Sequence, residues 1–137
     1  MTIHFGKAAK RHLRDCHSLL SQQRHANADQ LAGLAAECGL KAILEVFGIL
    51  TARADPPPKL KKHVNELWDE FFAQISGRRA ITVGTFLPRQ NPFANWDVAQ
   101  RYDDVGCDHR PTVHDHAQIA GSIMSLLQEI KTQGDTP

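Results

Sequence analysis

The chain has 137 residues, a formal net charge of +1, 42% hydrophobic and 23% charged residues, which is the size and balance of one globular domain with a real core. No apolar run approaches the roughly 20 residues that a membrane span needs, and MTIHFGKAAKRHLRD at the start becomes charged where an export signal would need apolar residues, so a cytoplasmic, membrane-free protein is expected. Near-neutral charge argues against a bulk nucleic-acid coat protein, although Lys7, Lys10, Arg11, Arg14, Arg24 and Arg53 load the first third with cations and Asp97, Asp103, Asp104, Asp108 and Asp115 load the last with anions.

The spacing predicts a first helix over about Lys7 to Gln23. Ala9, Leu13, Cys16 and Leu20 form its buried stripe, and Lys7, Lys10, Arg14 and His17 recur at helical spacing on another face. Such a stripe suits a phosphate backbone or a nucleotide, and equally a solvated surface. His12 and His17 are titratable there. Three cysteines, Cys16, Cys38 and Cys107, lack CxxC spacing and read as reduced, mostly buried thiols.

A second helix is expected from about Asn27, a candidate cap, to Phe47, with Gly48 as its stop. Glu37, Lys41 and Glu45 fall in one narrow strip and the remaining surface is apolar or small, so this is the central helix. If the strip is partly buried, its charges must pair or face a partner protomer. Ala32, Gly33, Ala35, Ala36 and Gly39 allow close approach of neighbours, at about 1 kcal/mol of helix propensity for each glycine.

TARADPPPK breaks the pattern. A third helix is predicted from about Leu60 to Ile75, with Leu60, Val64, Leu67, Phe71 and Ile75 facing the core and Trp68 and Phe72 widening the stripe. SGRRAITVGTFLPRQNPF mixes β-branched residues with Gly77, Gly84, Pro88 and Pro92, and reads as a long ordered loop or short hairpin. Asn91-Pro92 or Asn95 then caps a short fourth helix through ANWDVAQRYDD. After VGCDHRP, Thr112 with Asp115 resembles a capping box opening a fifth helix, whose core stripe is Ile119, Ile123, Leu127 and Ile130.

Cys107, Asp108, His109, His114, Asp115 and His116 lie within ten residues, and all are able to hold a metal. His114 and His116, two apart, diverge once helical, and polar residues also gather at helix starts as caps. GxxxxGK, GxGxxG, GxSxG and HExxH are all missing. No cofactor is implied.

The order of motifs resembles one family. ANADQLAGLAAECGLKAIL resembles the second helix of HEPN domains (higher eukaryotes and prokaryotes nucleotide-binding), where small residues lead to an acidic residue and, four on, a lysine, here Glu37 and Lys41. LKKHVNELW is similar to that family's third helix, with His63 and Leu67, and WDVAQRYDD to its aromatic-Arg-Tyr stretch, with Arg101, Tyr102, Asp103 and Asp104. The resemblance spans about residues 6 to 131. It implies an all-α antiparallel bundle of four to five helices, a homodimer, and nucleotide or RNA handling. Many members pair with a minimal nucleotidyltransferase as toxin and antitoxin. Taken with this resemblance, Arg101, Tyr102 and Asp103 are the expected ligand-site residues, and Lys10, Arg14 and His17 of the basic stripe are the candidate phosphate contacts. A ribonuclease branch carries Arg and then His after four to six intervening residues. Here Arg101 is followed by His109 with seven between, so a non-catalytic binding module is expected. The alternatives are a metal-independent ribonuclease using Arg101 and His109 across a dimer, and a purely structural dimeric module.

Overall fold

The computed structural model describes residues 3–50, 62–102 and 110–134, with the backbone alone at 101, 102, 110 and 111. Five α-helices and a 3-10 helix make up the described residues, with no strand: α1 Phe5–Ser21, α2 His25–Val46, α3 Val64–Ala73, α4 Gly77–Phe86, the 3-10 helix Val98–Tyr102, and α5 Arg110–Gln133. The expected all-helical bundle is what the chain forms. None of these helices is long and apolar enough to cross a membrane.

α2 is the axis of the bundle: α1, α3, α5 and the 3-10 helix all pack on it. A tight turn joins α1 to α2, with Gln23 in the left-handed region (φ 59°). The start of α1 meets the end of α2, where the Lys41 ammonium lies 5.9 Å from the Phe5 ring centre. The end of α1 meets the start of α2 around Cys16, Ala28 and Ala32. That pair is antiparallel, as a short connection requires. α5 runs the other way: His116 reaches Asp29 near the start of α2, and Ile123 meets Gly39 further along. The two long central helices are therefore parallel, and α5 is antiparallel to α1.

The small residues of α2 set the helix spacing. A Cβ on Gly33 would lie 2.0 Å from Trp96 Cε2, and one on Gly39 would lie 2.5 Å from Ile123 Cγ2. Both glycines accept a large side chain of the same chain, so this face is covered without a second protomer. Gly48 ends α2 with φ 77°. Ile49 N–H bonds to Leu44 O at 2.9 Å and Gly48 N–H to Glu45 O at 3.0 Å, the paired bonds of a Schellman motif that favours glycine at this position.

Trp68, Trp96, Phe71 and Phe93 are the largest fully buried side chains, with Leu40, Ile43 and Leu67 around them. Each aromatic of this kind stabilises the fold by about 1.5–3 kcal/mol or more through burial. Val64, Leu67, Trp68, Phe71 and Ile75 are buried as the spacing of α3 implies, whereas the predicted start at Leu60 lies outside the described residues.

The predicted loop or hairpin over residues 77–86 is instead α4. Ala80, Val83 and Leu87 recur at helical spacing, Val83 and Leu87 are buried, and the Arg79 guanidinium lies 4.5 Å from the Phe47 ring centre. Thr85 Oγ1 donates to Thr82 O at 2.7 Å within the turn, which absorbs a hydroxyl that otherwise competes with the helix. Packing against Phe47 and α5 outweighs the extended preference of Ile81, Val83 and Thr85.

The predicted fourth helix contracts to the 3-10 turn. Asp97, not Asn95, caps it, with Oδ1 accepting from Ala99 N–H at 2.8 Å. α5 begins at Arg110, two residues before the expected Thr112.

Candidate functional site

The basic stripe of α1 is solvated. Lys7, Lys10, Arg14 and His17 are all exposed, and none has an ion pair among the described residues. His12, on the same helix, is half-buried, and burial followed by the neighbouring Arg11 charge holds its pKa below the usual value. No hydrogen bond among the described residues joins this stripe to the 3-10 helix that carries Arg101 and Tyr102.

What holds that 3-10 helix is a buried polar centre. Asp29, 2% exposed on α2, accepts from His116 Nδ1 at 2.5 Å through Oδ1 and from Gln100 Nε2 at 3.1 Å through Oδ2. Its backbone carbonyl accepts from the Trp96 indole N–H at 2.9 Å. His116 Nε2 donates to Pro92 O at 2.9 Å, and its ring stacks on Phe93 at 4.6 Å. Gln100 Oε1 accepts from Asp97 N–H at 2.8 Å. Since a carbonyl only accepts, Nε2 carries a hydrogen. Nδ1 faces a carboxylate, so one further proton belongs to the Asp29–His116 pair as a unit. Three stretches distant in sequence converge here, and the segment from Pro92 to Gln100 is pinned to α2 and α5.

Asn91 secures the front of the same segment. Its Nδ2 donates to Asn65 O at 2.8 Å, and its Oδ1 accepts from Phe93 N–H at 2.8 Å. Trp68 Nε1 donates to Arg89 O at 3.3 Å, and the Arg89 guanidinium lies over the Phe72 ring at 5.1 Å. The ordered loop expected before Trp96 is thus residues 87–97.

A second polar cluster surrounds Glu37. Its Oε2 takes Lys41 Nζ at 3.0 Å and its Oε1 takes His63 Nδ1 at 2.8 Å. Glu37 and Lys41 side chains are only 12% and 13% exposed and pair with each other, whereas Glu45, the third charge of the strip, keeps a buried Oε2 with no hydrogen-bond partner among the described residues. His63, at the N-cap of α3, is the member that spacing within one helix could not supply.

The metal-ligand candidates separate. His116 is committed to Asp29 and Pro92, while His114 is exposed beside His25, their ring centres 6.4 Å apart. No group of three His, Cys, Asp or Glu among the described residues is placed to hold a metal. Cys107, His109 and Asp103 lie outside the described residues. Burial pushes the Cys16 and Cys38 thiols up to about 11 each, helped by the charges of Asp29 and Glu37 respectively, which makes both poor nucleophiles.

A relation absent from the stretch after Arg101 occurs further on. Arg110 and His116 have five residues between them and share α5. Counting onward from Arg110 as well as from Arg101 finds this spacing in the sequence. Its histidine points into the buried centre. Compared with known proteins, the chain matches no family model, no curated protein and no solved structure.

Proposed function

We propose that the chain is a non-catalytic HEPN-like module. It binds a nucleotide, RNA or a protein partner through the 3-10 helix bearing Arg101 and Tyr102, acts as a homodimer, and serves as one half of a nucleotidyltransferase-associated toxin–antitoxin pair. The observation that carries this reading is the Asp29–His116–Gln100 centre. A buried ionisable pair is costly to desolvate and is a poor route to stability alone. Here it spends its hydrogen bonds on fixing the backbone that leads to Arg101. That is the arrangement expected where two residues must be held in place for a ligand. Both ring nitrogens of His116 are engaged, which favours positioning over proton transfer to a substrate.

Chemical-shift titration with nucleotides and short RNAs tests the proposal. Perturbation at Arg101 and Tyr102, lost in Arg101→Ala, is the expected result; an unmoved 3-10 helix with every ligand and with a co-expressed nucleotidyltransferase refutes it. Light scattering that reports a dilute monomer removes the dimer. The Arg110–His116 spacing favours a second reading, the metal-independent ribonuclease. It requires RNA cleavage in excess chelator that is abolished by His116→Ala in a folded protein.

A further inference from the structure

Glu37 and His63 border an opening in the surface. A cavity of about 290 Å3 lies between the start of α3 and the residues entering the 3-10 helix, lined by Lys62, His63, Asn65, Glu66, Asp97 and Val98. His63 turns Nδ1 to the Glu37 carboxylate. An ionised carboxylate only accepts, so Nδ1 carries the hydrogen and Nε2 of the neutral ring keeps its lone pair. Nε2 has no partner among the described residues, and half of the side chain is exposed.

The lining has mixed demands. Among the described residues, His63 Nε2 and the exposed carboxylates of Glu66 and Asp97 surround one cation, Lys62, whose Nζ is 3.7 Å from Glu70 Oε1. Asp97 commits one oxygen to Ala99 N–H. The Asn65 side-chain amide has no partner among the described residues. Behind Asp97, the buried Gln30 donates to its carbonyl at 3.4 Å and keeps an unpartnered Oε1. A bare anion would meet the two carboxylates, and a bare cation would meet Lys62. A ligand with several hydroxyl donors and one anionic group satisfies both sets. The volume lies at the lower edge of the roughly 300–1,000 Å3 usual for small-molecule sites, which suits one sugar phosphate.

We infer that this cavity binds the ribose phosphate unit of a ribonucleotide, with His63 Nε2 accepting from a ribose hydroxyl and Lys62 meeting the phosphate. The inference rests on the nucleotide side of the proposed function and names the moiety bound beside the 3-10 helix. Glu37 is a positioning residue that fixes the ring and its tautomer.

Titration of the isotope-labelled protein with ribose 5-phosphate tests it, with 2-deoxyribose 5-phosphate and inorganic phosphate as comparisons. Ribose 5-phosphate is expected to move the signals of His63, Asn65 and Val98, and both comparison ligands to bind at least about tenfold more weakly. His63→Ala is expected to cost at least about tenfold in affinity, and Lys62→Met serves as the second variant if His63→Ala fails to fold. In the free protein, nitrogen shifts report Nε2 as the unprotonated ring atom, and Glu37→Gln mixes the two tautomers. An unmoved His63 at millimolar ribose 5-phosphate overturns the inference, as does equal affinity in the variants. If RNA moves Arg101 while ribose 5-phosphate leaves His63 still, this site falls and the proposed function stands. If ribose 5-phosphate binds at His63 and no nucleotide or RNA reaches Arg101, the reverse holds.

Discussion

Adding one methyl group at Gly33 tests the packing of α2 at its tightest point. In Gly33→Ala the new Cβ would fall 2.0 Å from Trp96 Cε2 and 2.3 Å from Cζ2 and Nε1, well inside van der Waals contact, and Trp96 is 1% exposed with no room to swing. Overpacking of this kind costs about 1–3 kcal/mol. Displacing the indole also weakens its hydrogen bond to Asp29 O, worth about 1 kcal/mol. Alanine returns about 1 kcal/mol of helix propensity. The net expectation is a loss of about 1–3 kcal/mol, or about 3–12 °C in Tm for a domain of this size. Urea denaturation followed by tryptophan fluorescence reads it directly, since Trp96 is one of two tryptophans. Gly84→Ala is the internal control: a Cβ there meets nothing within 4 Å, so the same substitution should stabilise α4 by about 0.5–1 kcal/mol. A G33A protein as stable as the parent, with an unshifted Trp96 indole signal, would falsify the argument that the glycine is a seat for Trp96.

Charge removal in the Glu37 cluster should be asymmetric. Glu37→Gln removes the charge that faces both Lys41 and His63 and turns one of the two acceptor oxygens into an NH2 donor, and should cost about 2–3 kcal/mol, whereas Lys41→Met leaves Glu37 paired with His63 and should cost about 1 kcal/mol; equal urea midpoints for the two would contradict the geometry. Cys16 and Cys38 should resist iodoacetamide at pH 8 in the folded protein and react on unfolding, as mass spectrometry will show. Because their folded pKa lies near 11 against 9.0, the stability they confer is complete below pH 9 and lost as pH rises through 11. A double Cys→Ala variant should therefore lose less of its stability between pH 8 and 11. The folded pKa of His12 is lowered, so its contribution is present above pH 6.5 and is lost as pH falls through the folded value. His12→Gln should flatten the acid side of the Tm curve, and a curve identical to that of the parent would count against its burial.

Much of the bundle is legible in the sequence because burial repeats at helical spacing. The stripes through Cys16, Leu67 and Ile123 and the small face of α2 read correctly from periodicity, and the Gly48 stop from the need for a positive φ. α4 does not read from propensity, since Ile81, Val83 and Thr85 prefer extended backbone and their helix depends on Phe47 and on packing against α5. The polar centre is legible only in part. Gln100 and His116 lie 71 and 87 positions along the chain from Asp29, and no local pattern announces that they meet. His63 and Glu37, separated by 26 positions, are likewise each visible in the sequence while their hydrogen bond is not. Spacing reports the face on which a side chain lies, whereas a hydrogen bond between helices depends on how those helices dock.

The same long separations bear on the order in which the molecule assembles. The α1–α2 hairpin closes over a turn of three residues, so it can form early. Joining Asp29 to His116 requires closing a loop of 87 residues, and that entropy is lost before the bonds to the Asp29 carboxylate form. The centre is therefore expected to come together late. Substitutions such as Asp29→Asn should hasten unfolding while leaving the folding rate nearly untouched. In hydrogen exchange, the amides from Trp96 to Gln100 should open well before those of α2. The stretch that presents Arg101 is thus held by partners distant in the chain, and its lifetime in the closed form depends on the Asp29 carboxylate together with the bonds that Trp96, Gln30 and His116 make across it.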